Sequence, residues 1–476
     1  MGKTYKKFNF NAQFEAKGYP ESSWPLLNDY LSRCASEFDL TDKDVEQRLN
    51  VLLTNLDSIE IANDVNSNTN ACYYPKDKKI TLNYDGMSAR NETYLAHLCS
   101  TFHELNHVCE NLSSPNSTSF MQTNAKTGRT KGVSFNEVLT EMKAARLTMN
   151  LRQMADEGPV TDPRCMTRHY GYNDLMFVGT MVQTTLGLSE KEFLAAADKG
   201  PKYFREVMSK KFPDPAHYDL FMARINFYAD SMHAIKYAKI DAPLTKEEMN
   251  NITNLTASIY QECLAVMDVR VSTEAAKGDI DPETFSKKTR YELERLTANY
   301  EHAIKLNTPY KPEQLKKLPV LGTLQTKIMA IETIHKNSKK LGRKTKAGLL
   351  EALNNPKTDP VAFLSNFGLD VPEINEYKTV DTSDYKREFL ESDYGMEQWD
   401  NKDAIGAIKA MEHDEELMPK KAKILNFKPR TTNAFMTNLT AQVASTDSRD
   451  NEVLNTPIVD SLEIDELETK DVGPEL

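Results

Sequence analysis

The fold and the chemistry of this chain are decided by one stretch of its sequence, Thr93-Tyr-Leu-Ala-His-Leu-Cys-Ser-Thr-Phe-His-Glu-Leu-Asn-His-Val-Cys-Glu110. The stretch contains neither proline nor glycine, and its large apolar residues recur at the three- and four-residue spacing of a helix. On a helix, His103 and His107 lie four residues apart and face the same side. Their imidazoles can therefore share one metal ion, with Glu104 beside them to act on a metal-bound water.

The H-E-x-x-H pattern of residues 103–107 is specific in this chain. Histidine is scarce, with 9 residues among 476, so chance produces the pattern somewhere in the sequence with a probability of about 1%. The alternative is a helix that carries two ordinary histidines. A second segment argues against that alternative, because it supplies what a metal site still lacks.

This second segment runs from Val133 to Arg146, is predicted to be helical, and carries two carboxylates four residues apart, Glu137 and Glu141. A catalytic zinc site can use two histidines and one carboxylate and keep one position open for water. One glutamate can bind the metal, and the other can orient a ligating imidazole by accepting its far N–H. The spacing alone leaves open which glutamate has which role.

The two motifs together, H-E-x-x-H and then N-E-x-x-T-E, resemble those of the gluzincin metallopeptidases, the thermolysin-like arrangement. The run from Asn136 to Met142 is also similar to small bacterial and phage-encoded zincins. The resemblance implies that Glu137 is the third zinc ligand, that Glu141 orients a ligating histidine, and that Asn136 is a supporting residue. It covers about residues 55–190 and implies little about the remainder.

The rest of the chain predicts an α+β fold with several domains. We expect an N-terminal arm with helices (1–54), a zincin-like domain with a small sheet (55–240), a mostly helical region (241–430) and a disordered acidic tail (431–476). In the tail, residues 441–476 hold ten acidic and two basic residues and no aromatic one, a composition that cannot form a core of its own. The tail is therefore expected to stay disordered or to order on a protein partner.

Local patterns in the N-terminal half predict the elements around the zinc helix. Residues 1–24 are interpreted as an irregular arm, and two helices are expected after it, the second capped by Thr41 and Asp44. Short strands follow, and by resemblance the one over Lys79–Asn83 forms the sheet edge to which a substrate strand adds. An ordinary hairpin is the alternative. The expected ranges are Pro25–Phe38 and Thr41–Leu56 for the helices, and Ser58–Ala62, Ala71–Tyr74 and Ile80–Asn83 for the strands.

A polar segment, Ser113–Lys131, separates the two site helices and is predicted to be a loop that forms a cleft wall or lid. Beyond the second helix, a Tyr or His is expected to donate a hydrogen bond to the oxyanion of the reaction. The sequence does not choose among the candidates, although we favour the two tyrosines. The candidates are Tyr170, Tyr172, His169, His217 and His233.

Composition argues against several classes of protein. No apolar run approaches 18 residues, so no membrane-spanning helix is expected. The segment Met1–Phe8 is positively charged but precedes no apolar stretch, so we expect no cleaved signal, a cytoplasmic location and free thiols; a phage-encoded chain would be virion-associated. The net charge is −11, and the basic run Lys336–Lys346 is interpreted as a solvated helix edge, so no nucleic-acid partner is expected.

The expected function is that of a zinc-dependent endopeptidase acting on a peptide or protein substrate. Zn²⁺ held by His103, His107 and Glu137 activates water, and Glu104 takes the proton of that water and passes it to the leaving amine. The substrate itself is not encoded in any motif that we can identify.

Two other functions are compatible with parts of the sequence. Glu104-x-x-His107 and Glu332-x-x-His335 are two pairs of the kind that facing helices carry in ferritin-like di-iron proteins, but this hypothesis leaves His103 and Glu137 unexplained. The other alternative is a zincin scaffold without activity that docks to an assembly such as a phage particle. The intact Glu104 argues against lost activity.

Overall fold

The computed structural model describes residues 5–62, 64–65, 69–89, 93–110, 119–123, 130–148, 175–237, 243–276, 282–307, 319–353, 355, 358–372 and 399–418. Within these ranges the chain is mostly helical and contains a small mixed sheet, which agrees with the expected α+β class. The acidic tail predicted over residues 431–476 lies outside the described ranges. One continuous hydrophobic core joins the described elements, from Phe14 near the N-terminus to Leu417.

Three helices open the described chain: α1 (Asn11–Lys17), α2 (Trp24–Glu37) and α3 (Asp42–Asn55). The expectation of an irregular arm over residues 1–24 is wrong for α1, which is anchored by the fully buried Phe14 and ended by Gly18 in the left-handed conformation. The predicted cap of α3 is confirmed, because Thr41 and Asp44 form a reciprocal capping box.

The sheet before the H-E-x-x-H motif has three strands: β1 (Ser58–Ile61), β2 (Ala71–Tyr74) and β3 (Lys79–Leu82). Their order is β1-β3-β2, with β1 parallel and β2 antiparallel to β3. The prediction that the strand over Lys79–Asn83 forms the edge is therefore wrong, because β1 occupies its second side. The edge strand that packs against the helix with the H-E-x-x-H motif is β2.

The two site helices pack directly against each other. After α4 (Tyr84–Ala89), helix α5 (Tyr94–Cys109) begins at Thr93, whose side chain accepts the N–H of Ala96. Helix α6 (Val133–Thr148) follows a short antiparallel pair, β4 (Gln122–Thr123) and β5 (Thr130–Lys131). The segment expected to be a loop over Ser113–Lys131 thus contains two short strands, and the remainder of it lies outside the described residues except for residues 119–121.

The start of α6 is held by a residue that is distant in the sequence. The carboxylate of Asp230 accepts hydrogen bonds from the N–H groups of Gly132 and Ser134, both at 3.0 Å. These are N–H groups that the first turn of a helix cannot satisfy itself, and the negative charge lies at the positive end of the helix dipole. Asp230 therefore fixes its own helix, Pro215–Tyr237, on the beginning of α6.

The remaining described chain is mostly helical, and capping boxes form at Ser189–Glu192 and Thr245–Glu248. No helix among the described residues is long and apolar enough to cross a membrane. Among the cysteines that the structure describes, all five carry free thiols. The helices are α7 (Met176–Thr185), α8 (Glu190–Asp198), α9 (Pro201–Met208), α10 (Pro215–Tyr237), α11 (Lys246–Ala276), α12 (Pro282–Asn307), α13 (Pro319–Lys336), α14 (Ser338–Ala352), α15 (Pro360–Ser365) and α16 (Lys402–Glu412).

The last described segment, residues 399–418, returns to the N-terminal half. Trp399 donates its indole N–H to the carbonyl of Arg146 at 3.0 Å, and helix α16 packs against α2 and α5. The carbonyl of Leu417 accepts the N–H of Ile61 at 2.9 Å, beside β1. This segment, which the sequence assigns to the helical region, therefore supports the helix that carries the H-E-x-x-H motif.

Candidate metal centre

Three side-chain atoms from α5 and α6 meet in a small triangle. Nε2 of His103 lies 3.1 Å from Nε2 of His107, and Oε2 of Glu137 lies 3.2 Å and 3.3 Å from these two nitrogens. Among the described residues, this is the group of His, Cys, Asp and Glu side chains that could hold a metal ion. The sequence placed the three residues on two helices, and the packing of those helices brings their atoms together.

The dimensions of the triangle fit a tetrahedrally coordinated metal ion. Zinc–ligand distances of about 2.0–2.1 Å separate two tetrahedral ligand atoms by about 3.3–3.4 Å. The three observed separations, 3.1, 3.2 and 3.3 Å, lie close to that edge length. Two imidazole nitrogens and one carboxylate oxygen also form a donor set of the kind found in catalytic zinc sites, where a fourth position stays open.

The electrostatics of the triangle favour a positive charge at its centre. Burial alone lowers the pKa of His103, but hydrogen bonds to Glu137 and Glu141 raise that pKa to about 10. Burial also lowers the pKa of His107, but Glu137 and Glu110 raise that pKa well above its usual value. The same contacts hold the pKa of Glu137 well below its usual range in spite of burial. A metal ion would therefore compete with protons for this site.

Each histidine of the triangle is hydrogen-bonded to a different carboxylate. The Nδ1–H of His103 donates to Oε2 of Glu141 at 2.8 Å, and the Nδ1–H of His107 donates to Oε2 of Glu110 at 3.1 Å. A proton held on Nδ1 leaves the lone pair of Nε2 free to face the centre of the triangle. Glu137 contributes Oε2 to the triangle, and Glu141 lies behind His103. These are the relative positions that the resemblance implied.

Sequence reasoning missed Glu110. It lies three residues after His107 at the end of α5, a spacing that brings side chains together on a helix, and only 2% of its surface is exposed. The extended pattern H-E-x-x-H-x-x-E could have identified it. The partners of Glu110 on α6 could not be found in this way, because they depend on how the two helices pack.

Asn136 lies next to this carboxylate. Its Nδ2 donates to Oε2 of Glu110 at 3.0 Å. Its Oδ1 accepts the N–H of Phe120 at 2.8 Å and the hydroxyl of Ser119 at 3.1 Å. The amide therefore connects the chain before β4 to the carboxylate behind His107.

Glu104 lies at the edge of the sheet. Its Oε2 accepts the backbone N–H of Tyr73 in β2 at 2.7 Å. Burial raises the pKa of Glu104, and the charges of His103 and His107 act in the opposite direction. The residue is thus next to the triangle, largely buried, and fixed through one of its two carboxylate oxygens.

Of the residues considered for the oxyanion, two are within the described ranges. His217 is exposed and pairs with Asp214 at 2.7 Å. His233, one turn beyond Asp230 on α10, lies near enough to Glu137 for that charge to act on its pKa, although burial has the larger effect and lowers the pKa. The other three candidates, His169, Tyr170 and Tyr172, lie outside the described residues.

The second E-x-x-H pair does not join the first among the described residues. Glu332 forms ion pairs with Arg290 and Lys336, and the ring of His335 packs beside that of Phe285. Neither residue belongs to the group around His107 that could hold a metal ion. The geometry of a di-iron site is therefore not found in the described chain.

Comparison of the chain with protein-family models, with curated proteins and with solved structures gives no match. An interpretation of function therefore depends on the site itself. The useful observations are the ligand triangle, the two carboxylates behind its histidines, and the glutamate held at the sheet edge.

Proposed function

We propose that the protein is a zinc-dependent metalloendopeptidase with a zincin-like catalytic region. The observation that carries the proposal is the triangle of His103, His107 and Glu137, with Glu104 fixed beside it. The triangle has the size and donor set of a catalytic zinc site. A glutamate adjacent to such a site is the residue expected to move protons in peptide hydrolysis.

Bound zinc would supply the positive charge that lowers the pKa of a water molecule and polarises a peptide carbonyl. The chain's own residues do the rest. The N–H of Tyr73 holds Oε2 of Glu104, which leaves Oε1 to accept a proton from the attacking water. Burial raises the pKa of Glu104, so the carboxyl group can then return this proton to the leaving amine.

The arrangement of the sheet supports a peptide substrate. Strand β2 is the edge strand beside α5. Glu104 takes up the outward-facing N–H of Tyr73, so a peptide would pair with the other outward-facing backbone groups of this strand. An extended peptide that paired with this edge would lie along the ligand triangle. We therefore assign to β2 the substrate-binding role that the resemblance implied for Lys79–Asn83.

His233 is our candidate for the residue that donates to the oxyanion. It projects from α10, which Asp230 fixes on the start of α6, and it is close enough to Glu137 to sense its charge. A histidine at such a site can stabilise the negative oxygen of the transition state. Tyr170 and Tyr172, which the sequence favoured, remain alternatives.

The first test is metal content. The purified full chain should contain one zinc per molecule, and His103→Ala or His107→Ala should remove it. His217→Ala is the matched control, because this exposed histidine lies outside the group and should leave the metal in place. Stoichiometric zinc in both His103→Ala and His107→Ala would contradict the assignment of the site.

The second test is activity. The zinc-loaded protein should cleave an unbiased peptide mixture, and a chelator should abolish the cleavage. Restored cleavage after addition of zinc would support the proposal. Zinc-loaded protein that cleaves no peptide would instead favour a scaffold without activity.

A further inference from the structure

A buried cluster of charges behind the ligand triangle is built around Glu110. Besides His107 and Asn136 on Oε2, its carboxylate accepts hydrogen bonds on Oε1 from the hydroxyl of Thr140 at 2.8 Å and from Nζ of Lys143 at 3.4 Å. Four donors satisfy the carboxylate completely. Three of them, at positions 136, 140 and 143, share one face of α6.

The ammonium group of Lys143 is as unusual as the carboxylate, because only 3% of this residue is exposed. A buried charge is costly unless an opposite charge and hydrogen bonds compensate it. Glu110 and Lys143 compensate each other, so the cluster adds no net charge beside the triangle. Two hydrophobic side chains would fill the same space without this cost. The charges of Glu110 and Lys143 are therefore expected to have a role beyond packing.

We propose that Glu110 is the positioning residue of His107 and that Lys143 balances the charge of Glu110 so that it can act there. This inference rests on the metal site of the proposed function and deepens it. The site then has two histidine–carboxylate pairs, with Glu141 of α6 behind His103 and Glu110, directly after α5, behind His107. The resemblance had implied only the first pair.

Geometry separates the roles of the partners. Oε2 of Glu110 receives the Nδ1–H of His107, which fixes the tautomer and the plane of the imidazole and makes its Nε2 a stronger ligand. Oε1 is turned away from the histidine and binds Thr140 and Lys143. Asn136 donates a hydrogen bond to Oε2 of the same carboxylate and accepts the N–H of Phe120. The position of the His107 imidazole thus depends on α6 and on the chain before β4.

A purely structural role would be to hold α5 against α6, and one pair of substitutions distinguishes the two roles. The double variant Glu110→Gln with Lys143→Met removes both charges and keeps the shape, and a glutamine can still bond to His107 and Thr140. Its stability without metal should therefore be close to that of the wild type. The variant lacks the carboxylate that accepts the Nδ1–H of His107, however. Loss of a group that orients a metal ligand weakens metal binding about 10–100-fold.

The matched control is a charge pair remote from the triangle. Lys327 and Asp268 form an ion pair at 2.9 Å between α13 and α11, and the lysine is largely buried. Asp268→Asn with Lys327→Met removes a lysine–carboxylate pair that is less buried than that of Glu110 and Lys143. This control should leave the affinity for zinc unchanged, whatever it does to stability.

The experiment measures the affinity of the full chain for zinc by competition with a chromophoric chelator, together with the melting temperature of the metal-free protein. Cobalt absorption spectra report ligand geometry independently of activity. We expect wild-type stability, zinc affinity reduced about 10–100-fold and an altered cobalt spectrum for the Glu110 and Lys143 double variant. Unchanged zinc affinity and an unchanged spectrum would overturn the inference.

A second variant covers the case in which the double variant does not fold. Glu110→Asp keeps the negative charge opposite Lys143 but is one methylene too short to hold His107 in the same way, so it should also bind zinc more weakly. Wild-type zinc affinity in a folded Glu110→Asp variant would overturn the inference. Wild-type protein that binds no zinc would overturn the metal site as well, so the two failures are distinguishable.

Discussion

Asp230 connects helix α10 to the start of α6, which carries Glu137 of the ligand triangle, and its removal should have a defined cost. Its carboxylate accepts two backbone N–H groups at the start of α6, and the residue is only 8% exposed. A hydrogen bond to a charged group contributes about 1.5–3 kcal/mol, and loss of a helix cap costs about 0.5–2 kcal/mol. Because Asp230→Ala leaves two buried N–H groups without their acceptor, we expect a loss of about 2–4 kcal/mol in the free energy of unfolding.

The same substitution should weaken zinc binding, because Glu137 follows in the second turn of α6 and needs an ordered helix start. The assay is urea unfolding of the metal-free protein, followed by zinc titration of the folded variant. Asp214→Ala is the matched control. Asp214 caps α10 through the N–H groups of Ala216 and His217 in the same way, but it is exposed.

We expect a smaller loss of stability for Asp214→Ala and no change in zinc affinity. Equal effects of the two substitutions on stability and on zinc affinity would refute the role given to Asp230. Asp230→Asn should fall between Asp230→Ala and the wild type, because its amide oxygen can still accept one of the two N–H groups.

Three further predictions concern single side chains. Glu137→Gln should lose most of its zinc affinity, whereas Glu141→Gln should lose about 10–100-fold, as expected for a residue that orients a ligand; zinc titration that shows the reverse order would exchange their roles. His233→Ala should retain zinc but cleave peptides about 100-fold more slowly, and wild-type cleavage would remove it from the mechanism. Burial lowers the pKa of His335 from its ordinary value of 6.5 to about 4. Since the unfolded chain alone binds this proton between these pH values, stability should be lost as the pH falls from 6.5 towards 4. His335→Leu should lose less stability over that interval, and identical pH profiles of urea unfolding would contradict this.

Features that depend on neighbouring residues could be predicted from the sequence. The helical spacing around His103 and His107, the carboxylates of α6, and the capping box at Thr41 each involve residues within one or two turns. For these features, local geometry determines which side chains meet. The meeting of Glu137 with the two histidines is different, because it depends on the packing of α5 on α6, and only the resemblance of the two motifs implied it.

Features that depend on distant contacts could not be predicted in this way. The parallel pairing of β1 with β3, which makes β3 central, joins strands that are separated by β2 in the sequence. The hydrogen bond from the N–H of Gly132, just before α6, to Asp230 joins residues that are 98 positions apart in the sequence. The charge pair of Glu110 and Lys143 exists only because α5 packs on α6. None of these contacts has a periodicity or a spacing that the sequence could reveal.

The central claim is that Glu104 moves protons for a peptide-hydrolysing metal site, and Glu104→Gln tests it most directly. The variant keeps the shape and the contact with Tyr73 but cannot accept a proton. With zinc bound at wild-type stoichiometry, it should cleave an unbiased peptide mixture at least about 100-fold more slowly than the wild type. Glu46→Gln, an exposed substitution on α3, is the control and should cleave normally. Equal cleavage by Glu104→Gln and the wild type would contradict the account.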